Sequence, residues 1–104
     1  MKHLYPLMIL SALKEKDCNG YDILEKMKDN SGERSLIKDT QLYIELNELE
    51  EKKYVTSYER MAVGTQARKY YAITEDGYKE YERVFKEWIS LMRDVNNIIH
   101  LREN

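Results

Sequence analysis

Apolar residues recur along this chain with two periods, one near 3.6 and one of 2, and the change of period marks its elements. The first run is Leu7, Met8, Ile9, Leu10, Ala12 and Leu13, entered through Pro6. Proline suits a helix's first turn, and a helix apolar on more than one face packs against more than one surface. Polar residues from Lys14 to Cys18 end it. Asn19-Gly20 reads as a turn. Tyr21, Ile23, Leu24 and Met27 then keep helical spacing to about Lys28, and Asp29 to Gly32 breaks that second helix. Leu36-Ile37 is a short apolar pair before Asp39 and Thr40, both good N-caps. Leu42, Leu46 and Leu49 repeat at helical spacing and form one buried face. Thr40, Gln41, Ile44, Asn47 and Glu48 fall toward the exposed side, and Lys52-Lys53 closes the third helix favourably against its dipole.

The period then shortens. Tyr54 to Arg60 is a β-rich run, Gly64 opens a turn, and Ala67 to Ile73 alternates. Lys69, Tyr71 and Ile73 point one way, and Arg68, Tyr70 and Ala72 the other. The pair makes a hairpin with a basic tip. Tyr43 and Tyr71 are expected in the core, and Tyr70 exposed beside Arg68. Thr74, with Glu75 and Asp76 after it, is an N-cap followed by first-turn acids. The last helix runs from there to about Arg102. Tyr78, Tyr81, Phe85, Trp88, Met92, Val95 and Ile99 recur in steps of three and four, an a/d seam. Val84, Leu91 and Ile98 widen the stripe. At about 1.5 Å per residue this helix reaches roughly 40 Å and outruns the helical core, so its distal apolar face needs another chain. The expected fold is mainly α with a two-stranded β-wing: a winged helix-turn-helix over residues 1–73 and a C-terminal dimerisation helix over 74–104.

Composition narrows the chemistry. A chain of 104 residues suits one domain with a modest core. Charged residues make up 35%, yet net charge is only −2, so any surface for nucleic acid must be local. From Lys52 to Tyr71 there are five Lys or Arg against one acid, Glu59, which supplies such a surface. The single cysteine, Cys18, forms no internal disulfide and is read as a passive loop thiol. The apolar run Leu7 to Leu10 is too short to cross a bilayer, and the chain is expected to be soluble and cytoplasmic. His3 and His100 lie near opposite ends, so neither a metal site nor a cofactor is expected. No nucleophile triad, phosphate loop or paired catalytic carboxylates stand out, and an enzyme is not expected.

Three stretches together resemble the PadR family of winged-helix transcriptional regulators. ILSALKEKDCNGYDIL, Ile9 to Leu24, resembles the family's first helix, loop and Gly-Tyr-acid-Ile start of the second. LYIELNELEEKKYV, Leu42 to Val55, resembles its recognition helix. ARKYYAITEDG, Ala67 to Gly77, resembles the wing strand and the entry to the last helix. The single last helix is similar to that of the small subgroup. The resemblance implies a homodimeric regulator, a repressor of its own or neighbouring genes, that binds a palindromic operator in double-stranded DNA and releases it on taking up a small aromatic compound. It departs from the family at Ile44, where proline is common, and at Lys53, where glycine is usual. Asn47 and Glu48 also stand where basic residues are common.

Candidate residues follow from that frame. In a winged helix the third helix enters the major groove and the hairpin meets backbone or minor groove. Lys38, Lys52, Lys53, Arg68 and Lys69 are candidates for phosphates, with Tyr70 beside them. Thr40, Gln41 and Asn47 are candidates for base edges. Trp88 is either a plain interface anchor or one face of a flat-ligand site. Tyr81, Phe85 and Met92 would then line that site, with Met8 and Ala12 completing it. The dimer seam comprises Leu7, Tyr81, Phe85, Trp88, Met92, Val95 and Ile99. The alternative is a winged-helix module that binds protein and never engages DNA. The acidic third helix, with Glu45, Glu48, Glu50 and Glu51, favours that alternative, because carboxylates repel phosphates. The basic wing and the long last helix favour the first reading.

Overall fold

The computed structural model describes residues 4–61, 64 and 66–103. His3 therefore lies outside the described residues. Helix α1 spans Tyr5–Glu15 with Pro6 in its first turn. Strand β1 is Cys18–Asn19, α2 is Gly20–Lys26 and α3 is Asp39–Glu51. Strands β2, Val55–Met61, and β3, Ala67–Ile73, form the hairpin, and α4 runs Glu75–Glu103. The sheet has strand order β1-β3-β2, antiparallel throughout. This is a winged helix-turn-helix with a long last helix, and its wing carries one strand more than the sequence reading expects.

The extra strand is too short to show alternation. Cys18 pairs with Tyr71 and Asn19 with Tyr70. Asn19-Gly20 is accordingly not a free turn but the junction of β1 and α2. The Asn19 side chain accepts the Asp22 amide N–H at 2.8 Å, and the Asp22 carboxylate accepts the Asn19 N–H at 3.4 Å. That reciprocal box holds the start of α2. Gly20 leaves room there for the Tyr43 phenol, which a Cβ would push aside. Cys18 is not a loop residue either. It is fully buried, and burial pushes its thiol above the ordinary range.

Ile9, Leu10 and Leu13 of α1 meet Ile23 and Met27, Leu42, Leu46 and Leu49, and Val55 and Tyr71 in one core. Ile37 of the apolar pair is buried in it, and Leu36 is half-buried. Tyr43, expected in the core, lies outside, and so does Tyr21. Tyr21 is 60% exposed and Tyr43 47%, because the seven-residue α2 buries only the Ile23 side and α3 buries only its leucine row. Helix α3 is also capped differently from expectation. Lys38 is the N-cap and makes no side-chain cap bond, while Asp39 is a first-turn acid.

The third helix ends in a reciprocal pair of backbone bonds. Tyr54 N–H reaches Leu49 carbonyl at 2.9 Å and Lys53 N–H reaches Glu50 carbonyl at 3.0 Å. This closure needs a left-handed residue, and Lys53 adopts φ 65°. It aims the chain into β2. Thr74 locks the far side of the hairpin: its hydroxyl donates to Lys53 carbonyl at 2.7 Å and accepts from Gly77 N–H at 2.9 Å, starting α4.

Candidate nucleic-acid interface and ligand groove

The leucine row of α3 is buried, so its opposite face is presented outward. Lys38, Thr40, Tyr43, Ile44, Asn47 and Glu48 are exposed there, and Gln41 is half-buried. The Gln41 amide donates to the Glu45 carboxylate at 2.8 Å, so the side chain is held along the helix. Glu50 is occupied in the same way. It accepts the Ser57 hydroxyl at 2.6 Å and faces the Lys69 ammonium at 3.9 Å. Two of the acids that make α3 look repulsive to phosphate are thus engaged within the fold, one of them tying the hairpin to the helix. Glu48 and Glu51 remain exposed.

The candidate basic residues do not form one cluster. Lys38 stands at the start of α3, and Lys52 and Lys53 stand at its end, about 20 Å apart at ~1.5 Å per residue. Arg68 and Lys69 are successive in β3 and so point to opposite faces. Lys69 lies on the α3 side, with its ammonium over the Tyr71 ring at 5.5 Å. Arg68 lies on the outer side. Both are exposed.

Tyr70 corrects the sequence reading. It is 6% exposed, not a surface ring beside Arg68. The outer face of the sheet buries it without a second layer of core. Tyr58, directly opposite on the neighbouring strand, stacks on it at 6.0 Å, and the Arg60 guanidinium, two residues along that strand, covers it at 4.1 Å. The Tyr58 hydroxyl donates to Asp17 at 2.6 Å, and that bond to a carboxylate raises the phenol above its ordinary range. Arg60 and Tyr58 were missing from the sequence candidates. The signal was present in the hairpin register, which sets Arg60 opposite Arg68 and Tyr58 opposite Tyr70.

A second feature lies between α1 and α4. A groove of about 660 Å³ is walled by Leu7, Met8 and Ala12 on one side and by Tyr81, Phe85 and Trp88 on the other. Met27 and Leu36 form its floor toward the helix-turn-helix, and Glu15 and Lys26 meet at its rim at 2.9 Å. Tyr81 and Phe85 stack at 5.7 Å and 9°, and Phe85 and Trp88 at 6.4 Å and 25°, a continuous aromatic wall. The Lys14 ammonium lies over the Tyr81 ring at 4.9 Å. Met92 is not part of the lining; it lies a turn further along α4, half-buried. Beyond it Val95, Ile98 and Ile99 are exposed at 37%, 53% and 47%. Five of the six residues proposed from sequence for a flat ligand therefore share one groove within a single chain.

Comparison with known proteins adds to this geometry. Residues 9–83 match the model of the Transcriptional regulator PadR-like family. An uncharacterised protein of Lysinibacillus sphaericus is 32% identical over 94 residues, covering 90% of this chain and 83% of that one. The crystal structure of a PadR family transcription regulator from Clostridium difficile superposes with TM-score 0.80 at 28% identity, over 92% of this chain and 98% of that one. PadR of Bacillus subtilis in complex with operator DNA superposes with TM-score 0.69 at 26% identity, over 79% of this chain and 46% of that one.

Proposed function

This chain belongs to the PadR-like family of transcriptional regulators, and from that premise we propose that it is a homodimeric repressor released from a palindromic operator by a planar aromatic ligand. Residues 1–73 form the DNA-binding domain and residues 74–104 the dimerisation helix, with Leu7 of α1 joining the dimer seam. The observation that carries the DNA reading is the outward face of α3, with Thr40, Gln41 and Asn47, beside a hairpin rich in Lys and Arg. The same layout in a relative holding operator DNA supports it. Thr40, Gln41 and Asn47 address base edges; Lys38, Lys52, Lys53, Arg68 and Lys69 address phosphates. Exposed Leu91, Val95, Ile98 and Ile99 along α4 support a two-fold interface, which sets the same patch on both subunits.

The groove supports the ligand. Its aromatic wall suits offset stacking with a flat molecule, and its floor touches the segment that leads into α3. A compound seated there contacts the α1–α4 pair and the helix-turn-helix together.

A second reading, a module that binds protein and not DNA, is favoured by exposed Glu48 and Glu51 on α3. A mobility shift with duplex from upstream of the protein's own gene separates the two. The expected result is a shift whose log affinity falls linearly with log salt. Absence of a shift at low salt sinks the DNA reading and leaves the protein-binding one.

A further inference from the structure

We propose that the Glu15–Lys26 ion pair sets the charge specificity of the groove between α1 and α4: with those two charges bound to each other, the groove selects an uncharged planar aromatic compound over its anionic and cationic analogues. This rests on the ligand reading above and names the class of ligand.

Among the described residues that line the groove, Glu15 and Lys26 are the charged ones, and the others are apolar or aromatic apart from Ser11. The Lys26 ammonium donates to the Glu15 carboxylate at 2.9 Å. That bond holds Glu15 below the ordinary carboxylate range and lifts Lys26 above the ordinary lysine range, so both stay charged and matched near neutral pH. The pair joins the last residue of α1 to the last residue of α2. A further cation stands close by and is engaged elsewhere. The Lys14 ammonium lies over the Tyr81 and Tyr78 rings at 4.9 and 5.6 Å and does not line the groove.

A ligand seated here gives up water to Leu7, Met8, Phe85 and Trp88. For a charged ligand, that loss is offset only by a counter-charge that is free to meet it. Neither rim charge is free. A carboxylate arriving at Lys26 must displace Glu15 and leave it unpaired. An ammonium arriving at Glu15 must displace Lys26 in the same way. Each exchanges one ion pair for another and still bears its own desolvation. An uncharged ring system avoids the exchange. It stacks on the wall of Tyr81, Phe85 and Trp88, and the exposed Ser11 offers a hydroxyl to a neutral hydrogen-bonding group. An ordinary surface pair would only tie α1 to α2 and would be silent to a ligand's charge.

The test reads the emission of Trp88, the single tryptophan. Three anthracene derivatives substituted at the same carbon are titrated into the parent, E15Q and K26Q: the carboxamide, the carboxylate and the aminomethyl cation. The parent is expected to bind the carboxamide more tightly than either charged compound, by roughly threefold or more. In E15Q the freed Lys26 should strengthen the carboxylate by about two- to fivefold and weaken the cation. In K26Q the freed Glu15 should strengthen the cation and weaken the carboxylate. The pair lies at the surface, so both variants are expected to stay folded, which circular dichroism checks; if one unfolds, the other decides. A parent that binds a charged compound as tightly as the carboxamide overturns the proposal. So does a folded variant that keeps the parent's order of affinities, because a purely structural pair would leave that order unchanged. Quenching by all three compounds without regard to charge sinks the charge specificity and leaves the ligand reading standing. If none of the three changes the emission, the ligand reading itself has failed, and the charge specificity fails with it.

Discussion

Two residues show how a position can reverse the ordinary preference. Lys53 holds φ 65°, the left-handed conformation that the α3 closure requires, where a side chain is strained and glycine is not. Lys53→Gly is therefore expected to stabilise the fold by roughly 0.5–1 kcal/mol, the relief of strain less the extra chain entropy of glycine. The urea midpoint measures it, and a lower midpoint in the variant would contradict the closure described. Gly77 is the opposite case. It sits in the first turn of α4, where helix propensity alone favours alanine by about 1 kcal/mol. A Cβ there runs into the Tyr54 carbonyl, which is backbone and already accepts the Thr74 N–H. Gly77→Ala is expected to cost about 1–3 kcal/mol, as overpacking does. A variant as stable as the parent would mean that the contact between α4 and the hairpin base yields easily.

Helix α4 is the element whose sequence is least satisfied within one subunit. Its first turns pack on α1, and Tyr81 reaches the core. Among the described residues nothing covers its distal turns, where Leu91, Val95, Ile98 and Ile99 are exposed. Met92→Glu with Val95→Glu sets like charges across the proposed seam, at a cost within the helix of only about 0.2–0.5 kcal/mol for the new i,i+3 pair. Sedimentation is expected to give a dimer for the parent and a monomer for the double variant, with helical circular dichroism retained. A folded parent monomer would remove α4 as the dimer element. The hairpin is instead tied down at several points, through Glu50, Thr74 and Asp17. Such anchoring favours a wing that keeps its angle to α3, so that phosphate contacts set the register for base contacts.

At the scale of the molecule, the groove is the place where effector and DNA would communicate. A planar aromatic ligand is expected to quench Trp88 fluorescence at micromolar concentration and to weaken DNA binding. Coupling is reciprocal, so operator DNA must weaken the ligand by the same factor. Trp88→Ala should lower ligand affinity and leave the dimer largely intact, since Leu91, Val95, Ile98 and Ile99 further along α4 remain to hold the proposed interface. Unchanged emission across a broad panel of such compounds would leave Trp88 an interface anchor and nothing more.

Wherever a period of 3.6 or 2 extended over several residues, it was sufficient to place an element, because burial of one face imposes that period on the chain. The α1 run, the leucine row of α3, the alternation of β3 and the α4 stripe were all legible on that ground, while the family resemblance rested on the residues of Ile9 to Leu24, Leu42 to Val55 and Ala67 to Gly77. Thr74 as the N-cap was legible as local chemistry. The rest depended on neighbours distant in sequence. Strand β1 is two residues long and exists only through pairing with β3. Tyr70 is buried by Arg60 and Tyr58 rather than by a second core layer, which alternation cannot reveal. Tyr43 and Tyr21 keep helical spacing yet lie outside, because short helices bury a narrow stripe. The groove needed α1 and α4, some seventy residues apart, to be laid side by side. Periodicity records which face a residue takes on its own element; which elements then meet, and what they enclose, is settled only when the chain packs.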